Sequence, residues 1–100
     1  MTFRLNNLNY NVVNLMREIG YHPLKYTEEG ELNCVRTLAG HDYPRFHIYL
    51  KEDPKILTFN IHLDQKKPSY EGTAAHGGDY DSGTVRDEVE RIKDIVFRKH

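Results

Sequence analysis

Residues 45–64 read Arg45-Phe46-His47-Ile48-Tyr49-Leu50-Lys51-Glu52-Asp53-Pro54-Lys55-Ile56-Leu57-Thr58-Phe59-Asn60-Ile61-His62-Leu63-Asp64. Apolar and polar residues alternate on both sides of Glu52-Asp53-Pro54-Lys55. That is the period-2 signature of two paired strands with one buried face. Phe46, Ile48, Leu50, Leu57, Phe59, Ile61 and Leu63 fall on one face; His47, Tyr49, Lys51, Thr58, Asn60, His62 and Asp64 fall on the other. Burying seven large apolar side chains is worth roughly 1.5–3 kcal/mol each before entropic costs. A slip of one residue would expose them and bury the histidines instead, so the facing is strongly specified. A four-residue loop over Glu52–Lys55 pairs Lys51 with Ile56, which sets His47 opposite Asn60 and Arg45 opposite His62.

Working outward, Asn6 to Ile19 predicts a helix. Leu8, Val12, Leu15, Met16 and Ile19 form its apolar stripe, Asn6 or Asn7 caps its start, and Gly20 ends it. Leu24 to Tyr26 reads as a short strand, Glu28-Glu29-Gly30 as a turn and Leu32 to Leu38 as a strand whose inward face the pattern leaves open. Ala39 to Pro44 is a loop. Gln65 to Gly83 has no apolar periodicity, and a loop of that length in so small a domain is usually functional or mobile. Thr84 to Arg98 predicts a second helix with Val85, Val89, Ile92 and Val96 as its stripe; Ser82 or Thr84 is its expected cap. Two one-sided helices and a one-sided hairpin imply a single α+β domain. The expected architecture is a two-layer sandwich of order α-β-β-β-α, with an antiparallel sheet and both helices on one face. The opposite face, carrying His47, Tyr49, Asn60 and His62, is expected to be open.

The chain has 100 residues, 38% hydrophobic and 29% charged, the make-up of one soluble globular domain. A net charge of −1 argues against strong non-specific nucleic-acid binding, which normally shows as a basic excess. The single cysteine, Cys34, forms no internal disulfide, so a reducing, cytoplasmic setting is expected. No apolar run approaches the ~20 residues needed to cross a membrane, and no signal peptide is evident. Neither a membrane nor DNA is an expected partner; RNA and a protein are the candidates.

Three constellations carry chemistry. In the first, His62 and Asp64 point the same way from one strand, with His47 near them across the ladder. His76 and Asp79, folding back from the long loop, would join His62 in holding zinc or a similar divalent ion. In the second, Arg45, Lys51, Lys66 and Lys67 supply cations for phosphates, with Tyr49 as a stacking platform and His62 beside them, as a single-stranded RNA surface requires. In the third, histidine acts as general acid and base in RNA cleavage, with His41 or His47 in that role. Cys34 lies in a strand and is expected to be inert. Solvent-facing strand positions also take polar residues for no other reason, so each constellation stands beside that plain alternative.

The first helix ending in Gly20-Tyr21, the Gly40-His41 pair and the last helix opening Gly83-Thr84-Val85-Arg86 resemble the HicA-type mRNA interferase toxins. That resemblance implies a double-stranded-RNA-binding-like α-β-β-β-α fold and an RNA-cleaving histidine, whose counterpart is His41 or His47. The Gly-Ser-His of that family is absent. The stretch from His62 through Tyr80 is also similar to that of small bacterial proteins of uncharacterised activity.

Overall fold

The computed structural model describes residues 1–65, the backbone of 78–79, and residues 83–99. Five strands and two helices follow one another as β1 (Thr2–Asn6), α1 (Val12–Glu18), β2 (His22–Tyr26), β3 (Leu32–Thr37), β4 (Arg45–Glu52), β5 (Ile56–Asp64) and α2 (Gly83–Lys99). All neighbouring strands are antiparallel in the spatial order β1-β5-β4-β3-β2. Gly78 and Asp79 add a two-residue pairing to Asp64 and Leu63 of β5. The chain is α+β, but its order is β-α-β-β-β-β-α rather than the expected α-β-β-β-α. No helix among the described residues is long and apolar enough to cross a membrane.

The difference begins at residue 2. Thr2-Phe3-Arg4-Leu5-Asn6 alternates, with Phe3 and Leu5 buried and their neighbours exposed. It pairs with β5 from Thr2↔Asn60 to Asn6↔Ile56, and the Phe3 ring stacks on Phe59 at 4.6 Å and 7°. A strand of five residues gives too few alternations to stand out beside the longer helical period that follows, so residues 1–5 carry no expected element and only Asn6 moves from helix to strand. Leu8 is in fact exposed. Asn9 takes a positive φ of 62°, a conformation asparagine tolerates better than most residues. The cap is Asn11, whose side chain accepts from the Asn14 amide at 3.1 Å, rather than Asn6 or Asn7. Asn7 instead donates through Nδ2 to the Asp53 carbonyl at 2.8 Å and tethers this connection to the β4–β5 turn.

The end of α1 matches expectation. Gly20 has φ +94°, its amide donates to the Arg17 carbonyl, and the Tyr21 amide donates to the Met16 carbonyl. This paired closure needs a left-handed residue where glycine stands. α1 then carries the chain from β1 at one edge to β2 at the other.

All seven apolar residues of the hairpin stripe are buried. They join Phe3, Leu5, Leu32 and Cys34 and the stripes of both helices in one core, so both helices cover the same sheet face. The register, however, is Lys51↔Thr58 and His47↔His62, two residues away from the expected one. The turn is tight: the Asp53 amide donates to the Ile56 carbonyl at 2.9 Å, which leaves only Pro54 and Lys55 at the tip. A shift of two preserves every facing and adds ladder pairs, so the buried stripe does not discriminate between the two registers. For α2, Thr84 lies inside the first turn instead of capping it, and Ser82 is outside the described residues.

One polar residue of α2 is deeply buried. The Glu88 carboxylate accepts from the Tyr21 hydroxyl at 2.7 Å, from Arg91 at 2.7 and 2.8 Å and from Arg36 of β3 at 3.3 Å. Arg91 also donates to the Ile19 carbonyl at 2.6 Å. Burial, and next the charge of Glu88, push the Tyr21 hydroxyl well above its ordinary value. The group latches α2 to the end of α1 and to β3. Glu88→Ala strands two guanidinium groups and a buried hydroxyl. It is expected to lower the unfolding free energy by roughly 3 kcal/mol, measured by urea denaturation; a loss below about 1 kcal/mol would remove the latch.

Candidate functional site

The outer sheet face is organised by register into rows. His62 on β5 lies directly opposite His47 on β4, which lies opposite Val35 on β3. The next row toward the strand ends pairs Asp64 with Arg45; the row on the other side aligns Asn60, Tyr49 and Asn33. Each site side chain thus stands on a central, doubly paired strand or beside one. The Asp64 carboxylate bridges the two imidazoles, with Oδ2 3.1 Å from His47 Nδ1 and Oδ1 3.0 Å from His62 Nε2. Arg45 Nε reaches Oδ2 at 3.4 Å, and its guanidinium also lies 4.7 Å over the Tyr43 ring. The two imidazole rings are 4.9 Å apart. Tyr49 stacks on His47 at 4.7 Å and 27°.

The expectation that these imidazoles lie in the open is corrected. His47 is 8% exposed and the His62 side chain 12%, because Tyr49, Asp64, Arg45 and Asn33 crowd around them on the central strands. Burial pushes both rings below the ordinary histidine value, with Asp64 opposing that shift. That favours the neutral form of each ring, with one N–H donor and one acceptor nitrogen. His47 Nε2 also meets Asn33 Oδ1. A neutral His47 that donates from Nδ1 to Asp64 is satisfied when the Asn33 amide turns its –NH2 to Nε2; a doubly protonated ring donates to both oxygens.

The remaining candidates fall elsewhere. His41 is exposed in the β3–β4 loop and lies outside the group of convergent ligand atoms. Lys51 shares the outer face but stands two rows away, beside Thr58. Arg45 is committed to Asp64, and Tyr49 is half-buried against the imidazoles rather than presented as a free platform. Lys66, Lys67 and His76 lie outside the described residues. The backbone of Asp79 pairs with Leu63; its side chain is also outside them. The metal trio expected from His62, His76 and Asp79 thus lies largely outside the described residues; among those described, His47, His62 and Asp64 bring their ligand atoms within 4.8 Å of one another. Asn33 was missed, because nothing in β3 alone says which residues of β4 it will face.

Searches against protein-family models, curated proteins and solved structures found no match to this chain.

The depressed imidazoles make stability pH-dependent. The unfolded chain takes up protons near pH 6.5, while the native rings resist them until lower pH, so the native state loses stability as pH falls below about 6.5. The charged groups around the two rings are Asp64, Arg45 and the N-terminal ammonium. A His47→Gln/His62→Gln double variant is expected to show a shallower fall in melting temperature between about pH 7 and pH 5. An unchanged slope in calorimetry would show that these rings are not the titrating groups.

Proposed function

We propose that this is a metal-binding protein that holds a divalent transition ion, zinc being the reference case, on His47, His62 and Asp64. The observation that carries the reading is one carboxylate with its two oxygens directed at two imidazoles, one buried and one half-buried, whose burial favours their neutral form. A tetrahedral ion with bonds near 2.0–2.2 Å separates its ligand atoms by roughly 3.3 Å. The carboxylate-to-imidazole separations of 3.0 and 3.1 Å are near that, and the set of three ligand atoms, now within 4.8 Å of one another, would contract around the ion. Two imidazoles and one carboxylate leave the remaining positions to water or an exogenous ligand. Paired strands on both sides hold the ligands, and Arg45 and Asn33 orient them from outside. The Arg45 charge opposes the ion, so affinity in the micromolar rather than nanomolar range is expected. At about one hundred times the dissociation constant a native-state ligand adds roughly 2.7 kcal/mol, or a melting shift of about 10 °C or more in a domain this size. Zinc should produce that shift in wild type and chelator should reverse it. Cobalt should develop visible bands that His62→Ala lacks. Zinc that leaves wild type unmoved, or moves His47→Ala/His62→Ala equally, would reject the site.

A second reading is favoured by the Nδ1 contact of His47 with Asp64, the orienting bond a general base requires. It is metal-free acid–base cleavage of RNA, the activity of the family resembled. Single-stranded RNA should then be cut in the presence of chelator, and His47→Ala should abolish the cutting. Because His47 is buried and hydrogen-bonded, that variant is expected to cost about 1–2 kcal/mol of stability. Full cleavage by the folded variant would exclude the role.

A further inference from the structure

The outer face has a second feature at its other end. Arg4 of β1 and Lys51 of β4 both pair in register with Thr58 of β5, so the three stand in one line across the sheet. At the usual spacing between strands of about 4.8 Å, the Arg4 and Lys51 backbones are about 10 Å apart with the Thr58 hydroxyl between them. Lys55, from the turn, completes a cleft of about 590 Å³ lined also by Asp53, Pro54 and Ile56. No carboxylate pairs with Arg4, Lys51 or Lys55 among the described residues. Three cations thus face one acidic residue of the lining, Asp53, in a protein whose net charge is −1.

We propose that this cleft binds a compact oligophosphate: pyrophosphate, or the di- or triphosphate of a nucleotide. Two long cationic arms from flanking strands and a third from the turn can close on one ligand bearing several negative charges. The hydroxyl of Thr58 supplies a hydrogen bond at the floor. The face itself disfavours an extended nucleic acid. The row beyond Thr58 holds the uncharged Thr2, Asn60, Tyr49 and Asn33, with Lys25 only at the far edge on β2, and the row after that is the His47–His62 pair. A strand-binding track would continue its cations along the backbone; here the next row has none on β1, β5, β4 or β3, and its one cation, Lys25, stands at the opposite sheet edge from Arg4. Lys51 is four residues from His47 on the same strand, about 13 Å at strand rise, so the cleft is distinct from the metal site and does not depend on it.

The test is calorimetric titration of the full chain, in chelator and low salt, with pyrophosphate and separately with a nucleoside diphosphate. Pyrophosphate should bind with a dissociation constant below about 1 mM. Lys51→Gln and Arg4→Gln should each weaken it about tenfold, a loss of one ion pair to phosphate. Arg98→Gln on α2, which removes the same charge elsewhere, and His62→Ala should each stay within about twofold. Tighter binding of the nucleoside diphosphate would assign the ligand as a nucleotide; equal binding would assign the oligophosphate alone. Absence of binding, equal weakening by Arg98→Gln, or tighter capture of an unphosphorylated single-stranded RNA by the same cationic residues would overturn the proposal.

Discussion

The pairing of β4 with β5 governs the molecule. One face of this hairpin is a continuous apolar stripe, and its burial beneath two helices drives the sheet together. That burial is large but indifferent to register shifts of two residues, because such shifts keep every side chain on its own face. The choice is made at the tip, where a two-residue turn sets Lys51 against Thr58. Everything on the polar face follows from that choice. His47 meets His62 instead of Asn60, Arg45 meets Asp64 instead of His62, and a carboxylate comes to bridge two imidazoles.

Burial of charge is handled in two ways. Beneath the sheet, Glu88 is surrounded by a tyrosine hydroxyl and two guanidinium groups, so a carboxylate inside the core is hydrogen-bonded on both oxygens. Such a group adds little net stability relative to an apolar replacement, but removing one partner leaves the rest stranded. It therefore fixes how α2 sits against α1 and β3. On the outer face, the imidazoles escape the same penalty by losing their protons. Burial favours the neutral form of the pair, and Asp64 is shared between the rings and Arg45.

The outer face is therefore polarised along its strands. One end carries a carboxylate and two neutral bases. The other carries three cations around a cleft, and the one row between is uncharged on β1, β5, β4 and β3. This separation is invisible in the overall charge of −1, which averages the two ends. A near-neutral composition here coexists with strong local fields of opposite chemical preference.

The α+β class, the facing of the hairpin, the left-handed Gly20 and the apolar stripe of α2 were legible in the sequence, because each rests on local period or local stereochemistry. The strand placement of Cys34 was legible too, and its burial there pushes the thiol up to about 12. The alternation of Thr2–Asn6 was present but short, and its meaning depended on β5 offering an open edge 50 or more residues away. Asn33 beside His47, Glu88 beneath Tyr21, and Arg4 beside Thr58 were not legible at all. Each contact joins strands or helices whose mutual placement is set by packing over the whole core, and no local pattern encodes which row of one strand will face which row of the next.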